Sequence, residues 1–595
     1  MDQRNLLLAI VLSLAILIGF QFVFPPATPP QQAPEQQQAG EGAPAPSGSV
    51  PTLGGEPGAP AAGAPATPSR EAAIGVSPRI ALSTPTVSGS IALRGARIDD
   101  LILKQYRQTI DPASPPITLL SPEGSANPYF ARFGWAAKPG SSVTLPAADT
   151  LWTAEGGPLT ADSPVTLRWD NGEGVTFEQT IAIDDKYLFT VTQRVINNAA
   201  TAAEVAPFGL ISRTDTPKIL GFYILHEGPL GVFNGTQEEF SYDGDLKDEY
   251  QGREVVLGRD TAGGWLGITD KYWLAALVPD QSAEVKARFV YNQLGGRDHY
   301  QSDFLYTAAA VAPGATAETT SRFFAGAKVV PMLQAYEAQY GIPKFDLAVD
   351  FGWFWFLTKP IFQALHWLNG QLLHNFGLSI LALTVVIKLI FFPLANKSYK
   401  SMAKMRKLQP KMMELRERYG DDKQRLNQEM MGLYKKEGAN PLSGCLPILI
   451  QIPVFFALYK VMFVTIEMRH APFYGWIRDL SAPDPTTILN GFGLFPWGAP
   501  DLGLLNIINI GIWPLLMGIS MFLQQKLNPQ PPDPVQAKVF LMMPVIFTFL
   551  LATFPAGLVI YWTWNNVLSM AQQAYIMKRH GVPIGGGGGA AKTST

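Results

Sequence analysis

The sequence predicts a polytopic α-helical membrane protein that carries a large all-β domain outside the membrane. Three observations predict it. Charged residues make up 16% of the 595 residues and hydrophobic residues 47%, where a soluble chain carries about 25% charged. Apolar runs of roughly twenty residues, the length that crosses a bilayer, recur along the chain. Residues 71–330, by contrast, alternate apolar and polar side chains with a period of two, the mark of strands with one buried face.

The net charge of −2 excludes a DNA-binding role, which calls for a basic excess. A single cysteine, Cys445, excludes an intramolecular disulfide, and the six histidines lack ligand spacing. No Gly-rich loop ending in Lys-Ser/Thr is present. No catalytic residue, cofactor site or metal site is therefore assigned.

Residues 1–24 read as a transmembrane anchor. The apolar run Leu6–Phe24 spans roughly 28 Å as a helix. Phe22, Val23, Phe24, Pro25 and Pro26 stand where a cleaved signal peptide would need small residues. Residues 25–70, rich in Pro, Ala, Gly and Gln, read as a disordered linker. In 71–330, Phe177, Ile181 and Ile183 alternate with Glu178, Thr180 and Ala182. Tyr187, Phe189 and Val191 do the same, although Leu188 breaks the polar half. With turn signals at Asp170-Asn171-Gly172 and Asp184-Asp185, one large β-sandwich is expected. His226 and Glu227 are neighbours in sequence only and carry no catalytic expectation.

Residues 331–374 are expected to form connecting and interfacial helices. Phe351 and Trp353–Phe356 precede Lys359-Pro360, a pattern that suits an amphipathic helix in the headgroup region or a buried one. Residues 375–580 hold spans at about 375–395, 442–464, 506–526, 538–554 and 557–576; Phe554-Pro555-Ala556-Gly557 makes the turn between the last two. With the anchor, six spans are expected. Residues 581–595 read as a flexible tail.

Charge sets the orientation. Twelve Lys and Arg lie in the segment 396–440, which places it in the cytoplasm. The loop from about 465 to 505 has only Arg469 and Arg478 and faces outward; the tail, with Lys578, Arg579 and Lys592, returns inside. Both termini are then cytoplasmic and the β domain lies in the periplasm of a bacterial inner membrane.

Lys388 interrupts the apolar stretch Leu378–Leu394, where a lysine costs roughly 2.5–3.5 kcal/mol. It either snorkels toward cytoplasmic headgroups or lines a wetted cavity with Thr384, one turn earlier on the same face. Gln451 sits between Ile450 and Ile452; Tyr561, Asn565 and Ser569 recur every four residues, with Trp562 and Asn566 on the adjoining stripe. These are either interhelical glue or, with Lys388, the lining of one polar groove. Lys460 reads as a snorkelling residue.

Segment 396–440 has a pattern of its own. Met402, Met405, Leu408, Met412 and Leu415 recur at helical spacing, and Leu426, Met430, Leu433 and Tyr434 follow after Gly420-Asp421-Asp422. This predicts an amphipathic basic helical hairpin, with Pro410 kinking its first arm. Its methionine face suits varied apolar ligands, and basic residues such as Arg406 suit anionic lipid or ribosomal RNA; a hairpin packed on itself explains the same pattern.

The stretch LTVVIKLIFFPLANKSYKSMAKMRKLQPKMMELRERYGDDKQRLNQEMMGLYKKEGANPLSGCLPILIQIPVFFALY resembles the YidC family, with relatives in mitochondria and chloroplasts. GWLGITDKYWLAALVP (Gly264–Pro279), FFAGAK (Phe323–Lys328) and FPAGLVIYWTWNN (Phe554–Asn566) resemble its bacterial form. The resemblance implies a five-helix insertase core, with a groove open to cytoplasm and lipid, and a periplasmic supersandwich. Lys388 stands where the family usually carries a groove arginine, and Thr384 matches the groove threonine. Tyr561 and Trp562 match the substrate-contacting slide, often two tyrosines. The lysine keeps the charge and loses the planar fork. The outward-loop segment around 489–506, NGFGLFPWGAPDLGLLNI, departs from the pattern as an insertion.

The function implied is insertion and folding of integral inner-membrane proteins, alone or with the Sec translocon. The groove residues would be Lys388, Thr384, Gln451, Tyr561, Trp562, Asn565 and Asn566. Met402, Met405, Arg406, Met412 and Met430 of the hairpin would receive the chain. The partners implied are nascent membrane proteins, the Sec translocon, the ribosome and anionic phospholipids. An accessory assembly factor of the secretion channel, a secondary transporter and a glycan-acting envelope enzyme are the competing functions.

Overall fold

A computed structural model describes residues 69–579, apart from 139–140, 219–224, 243, 421, 439–445, 496, 498–507 and 529–533. The expected anchor and tail lie outside these residues, as does the linker but for Ser69, which caps a short helix Arg70–Ile74, and Arg70, which opens it.

Residues 79–327 build two facing antiparallel sheets, of ten and nine strands among the described residues. In the first, Ala203–Thr214 lies between Tyr129–Ala137 and Arg297–Tyr306. In the second, Leu188–Asn197 lies between Val175–Ile183 and Thr316–Ala327. Alternation drives this pairing. Phe177, Ile181, Ile183, Phe189 and Val191 are all buried between the sheets. The turn joining these strands is closed by Asp184, whose carboxylate accepts the amides of Lys186 and Leu188.

Polar groups that enter this interior are matched. Gln179 and Gln193 point inward and donate to the carbonyls of Phe133 and Gly134 on the facing sheet, at 2.9 and 2.7 Å. Asp303, fully buried, takes Arg288 through two oxygens at 2.9 and 3.1 Å. Asp270 takes Arg213 at 2.7 Å, with the Tyr129 ring 4.6 Å from the guanidinium. A buried charge is tolerable only with such partners.

The chain then turns helical. We label the helices α1 (Val330–Tyr340), α2 (Trp355–Trp367), α3 (Phe376–Ile390), α4 (Phe392–Tyr419), α5 (Lys423–Glu437), α6 (Leu446–Val464), α7 (Ile512–Leu527), α8 (Pro534–Leu550) and α9 (Ala556–Arg579). Helix α2 buries Ile361, Phe362 and Leu365 and leaves Trp355, Phe356 and Trp367 exposed, so it is apolar on both sides. Helices α4 and α5 form a hairpin, and α4 runs through Pro410 without a break. Among the described residues no single helix is long and apolar enough to cross a membrane; the pair Trp355–Leu373 and Phe376–Ile390, bent by 116°, is so in combination. Within the stretch expected at 375–395, α3 closes at Ile390 and α4 starts after Phe391.

The β domain and the helices share one continuous hydrophobic core, from Phe324 through Phe345 and Leu365 to Leu458. Across that junction Lys460 of α6 pairs with Asp350 at 2.6 Å, and Asp350 also accepts the amide of His226 at 3.0 Å. Lys460 therefore does not snorkel, because a carboxylate is held within its reach. Further out, Arg469 donates to the carbonyls of Arg107 and Gln108, and the Lys271 ammonium lies 3.8 Å from the Phe463 ring.

Candidate functional site

Five helices enclose a polar groove. Helix α3 contributes Thr384, Ile387 and Lys388; α4 contributes Tyr399 and Met402; α6 contributes Gln451 and Val454. Gln524 of α7, Asn528 just beyond it, and Tyr561, Asn565, Ser569 and Gln572 of α9 complete the wall. The α9 residues recur every three or four positions and so share a face. Lys388 is held in the last turn of α3 and donates to the Ser569 hydroxyl at 2.7 Å. Ser569 in turn donates to the Asn565 carbonyl at 2.7 Å, and the Tyr399 hydroxyl is paired with the same serine. Tyr561 is nearly fully buried and paired with Gln451. Thr384 is buried and spends its hydroxyl on the Ile380 carbonyl of its own helix, at 2.6 Å.

The groove thus offers a cation beside a hydroxyl with no carboxylate against it among the described ion pairs. It can attract an anion, present hydrogen-bonding groups and admit water. No described group of three or more His, Cys, Asp or Glu is placed to hold a metal.

Residues 79–364 match the family of the YidC periplasmic domain, and residues 367–582 match the 60Kd inner membrane protein family. The curated "Membrane protein insertase YidC" of Methylorubrum extorquens (strain PA1) is 50% identical over 98% of this chain and 96% of its own length. That of Methylobacterium nodulans is 51% identical over the same shares. The chain belongs to the YidC family. The crystal structure of an active YidC insertase with its first transmembrane domain resolved superposes with a TM-score of 0.34 at 18% identity, covering 84% of this chain and 92% of that one.

Set against the family's pattern, the structure brings Lys388, Thr384, Gln451, Tyr561 and Asn565 together. It turns Trp562 and Asn566 away from them. Trp562 packs against Phe455 and Phe547, with ring centroids at 4.6 and 5.7 Å, and Asn566 donates to Ser520 of α7 at 2.9 Å. Neighbours on a helix point about 100° apart, so one of each adjacent pair faces the groove and the other faces a helix. Asn566 is interhelical glue in this arrangement.

Of the hairpin residues, Met402 lines the groove mouth and packs on Ile576. Met405, Met412 and Met430 pack within the hairpin with Leu408, Leu433 and Tyr434, and Arg406 is half-buried. The methionines that stay exposed are Met413 and Met431. Self-packing explains most of the methionine pattern; the basic residues Lys404, Lys407, Lys411 and Arg416 stay exposed on the outer face. Sequence reading missed Tyr399, Gln524, Asn528 and Gln572. The last three were legible as polar side chains near the inner ends of apolar stretches; Tyr399, about eleven residues beyond Lys388, gave no local signal.

Proposed function

We propose that this chain is a membrane protein insertase, and that its groove carries polar segments of a client protein part of the way across the bilayer. The supporting observation is Lys388, a half-buried cation whose described partner is a hydroxyl. A polar segment must otherwise cross about 30 Å of hydrocarbon, and each unsatisfied group there costs several kcal/mol. A wet groove between α3, α6 and α9 shortens that path. Lys388 attracts acidic residues of the client's outward segment, while Tyr561 and the apolar edge of α9 guide its helix toward lipid. Hydrophobic partitioning drives the step, and the membrane potential contributes about 2.3 kcal/mol per charge per 100 mV.

The same proposal makes the chain a non-enzymatic, multi-pass protein of the bacterial inner membrane with six spans, both termini cytoplasmic and the β domain periplasmic. Its domain boundaries are those set out from the sequence: 71–330 for the β domain and 375–580 for the core. The basic face of the α4–α5 hairpin receives the nascent chain at the ribosome and rests on anionic phospholipid; the Sec translocon is a partner for larger clients.

The test is protease protection of a small two-span client added to liposomes that hold only this protein, wild type beside Lys388→Ala. Insertion with wild type and at least a tenfold loss with the variant is expected. Equal insertion by both overturns the role of Lys388 and keeps the insertase. Failure of both, with correctly oriented protein, overturns autonomous insertion in favour of an accessory role beside the secretion channel.

A further inference from the structure

The loop between α6 and α7 holds an aromatic finger that neither the groove nor the hairpin uses. Thr487 and Asn490 form a reciprocal capping box at its base. The buried Asn490 accepts the amides of Thr487 and Gly493 at 3.1 and 2.9 Å. Gly491, Phe492 and Gly493 then stand in succession at φ 61, 59 and 93°; a left-handed phenylalanine is costly and persists only where its surroundings enforce it. Phe495 and Trp497 stack in parallel at 4.5 Å, and the indole N–H closes the finger on the Leu489 carbonyl at 3.2 Å.

All this order serves to hold apolar side chains outward. Leu494 is 88% exposed, and Ile488, Phe495 and Trp497 are each at least half exposed. A loop in water gains nothing from such a display. The stretch 485–500 contains no charged residue, so the finger has no complement for a charged protein surface or an anionic headgroup. Its base is fixed to the end of a core helix. Ile488 donates to the Ile510 carbonyl, and Asp484 accepts the amide of Trp513 in the first turn of α7 at 2.9 Å and the Trp476 indole at 3.0 Å. From there exposed apolar residues continue along α7 through Leu516, Ile519 and Leu523.

We infer that this finger docks in the lipid bilayer, at the boundary between headgroups and acyl chains on the side away from the basic hairpin. The observation that commits it to lipid is this continuity with the apolar outer surface of α7, together with aromatic rings and absent charge, the composition of membrane-interface anchors. The finger would fix the height of α6 and α7 in the membrane. The inference rests on the proposal that these helices span the bilayer.

The test uses the full chain in neutral phosphatidylcholine vesicles, with Cys445→Ser and one new cysteine labelled with an environment-sensitive fluorophore. Leu494→Cys and Ile488→Cys report on the finger, and Ile519→Cys reports on α7. Lipids with a spin label at the headgroup end of the acyl chain should quench both finger labels to at least half the extent seen at Ile519, and aqueous iodide should not reach them. Quenching at Ile519 with the finger labels open to iodide overturns the inference and leaves the spans standing. Finger labels shielded from iodide yet unquenched by lipid assign the finger to a protein partner and also overturn it. No lipid quenching at Ile519 overturns the spanning proposal itself. Quenching of the finger that appears only after anionic lipid is added overturns the uncharged docking described.

Discussion

The β domain and the groove treat charge drawn into the fold in opposite ways. In the β domain Asp303 is gripped by Arg288 and Asp270 by Arg213, and Asp99 lies against Arg79. In the groove Lys388 has a serine hydroxyl. Matched charges are settled within the chain, and they specify one packing. An ammonium held on a hydroxyl remains available to something the chain does not supply. The contrast separates charges that hold this protein together from the one the proposed function assigns to a client.

The contrast breaks most visibly where a matched charge is orphaned. Arg288→Met leaves Asp303 buried without its cation, and a loss of about 3–5 kcal/mol is expected, read as easier proteolysis of the β domain in the full chain. A smaller effect comes from Glu467, the exception just beyond α6. Both its carboxylate oxygens are buried. Burial pushes its pKa up to about 7 from an ordinary 4.5, and the nearby amides of Glu467 and Val330 pull it back only in part. Below pH 4.5 the folded and unfolded chains both hold this proton. Between 4.5 and 7 the unfolded chain releases it first, so stability falls as pH rises through that window and is lowest above 7. Glu467→Gln should therefore raise the melting temperature at pH 8, by on the order of 2–3 kcal/mol of stability, and leave it unchanged at pH 4.

Lys388→Ala should sharpen the contrast. It removes an unmatched charge, so melting should hold or rise, while insertion of a client with an acidic outward segment falls about tenfold, or about 1.4 kcal/mol. Lys388→Arg should retain most insertion. A melting temperature that dropped along with activity would place Lys388 among the structural charges. The smallest effect is expected from Thr384→Val. The hydroxyl it removes is satisfied by the Ile380 carbonyl within α3, so a change of less than about 0.5 kcal/mol is expected in insertion and melting alike.

Much of this was legible in the sequence, and the parts that were not share a cause. Period-two alternation carried Phe177 and Val191 to the sheet interior because one buried face fixes the register. Lys388 stood out because a lysine amid leucine and isoleucine needs an explanation. Trp562 and Asn566 were grouped with Tyr561 and Asn565, since the resemblance and the doubled stripe gave no means of choosing the groove side; the rotation of α9 against α7 decides it. Lys460 reads as a snorkelling residue because Asp350 lies 110 positions away, and only the packing of the segment between α1 and α2 against α6 brings the two together. Sequence patterns report which face of an element is apolar, and they are silent on which neighbour meets the polar one.

One feature of α4 carries a mechanical consequence. The helix begins beside the groove, presents Tyr399 and Met402 to it, and runs on as the first arm of the hairpin for 28 residues, roughly 42 Å. Met402 lies about 15 Å from the helix start at Phe392. If the helix tilts about that start, a sideways movement of the tip reaches the groove wall at roughly two-fifths of its size. The hairpin is then a tiller: a force on its far end adjusts the width of the groove's mouth in small, geared steps.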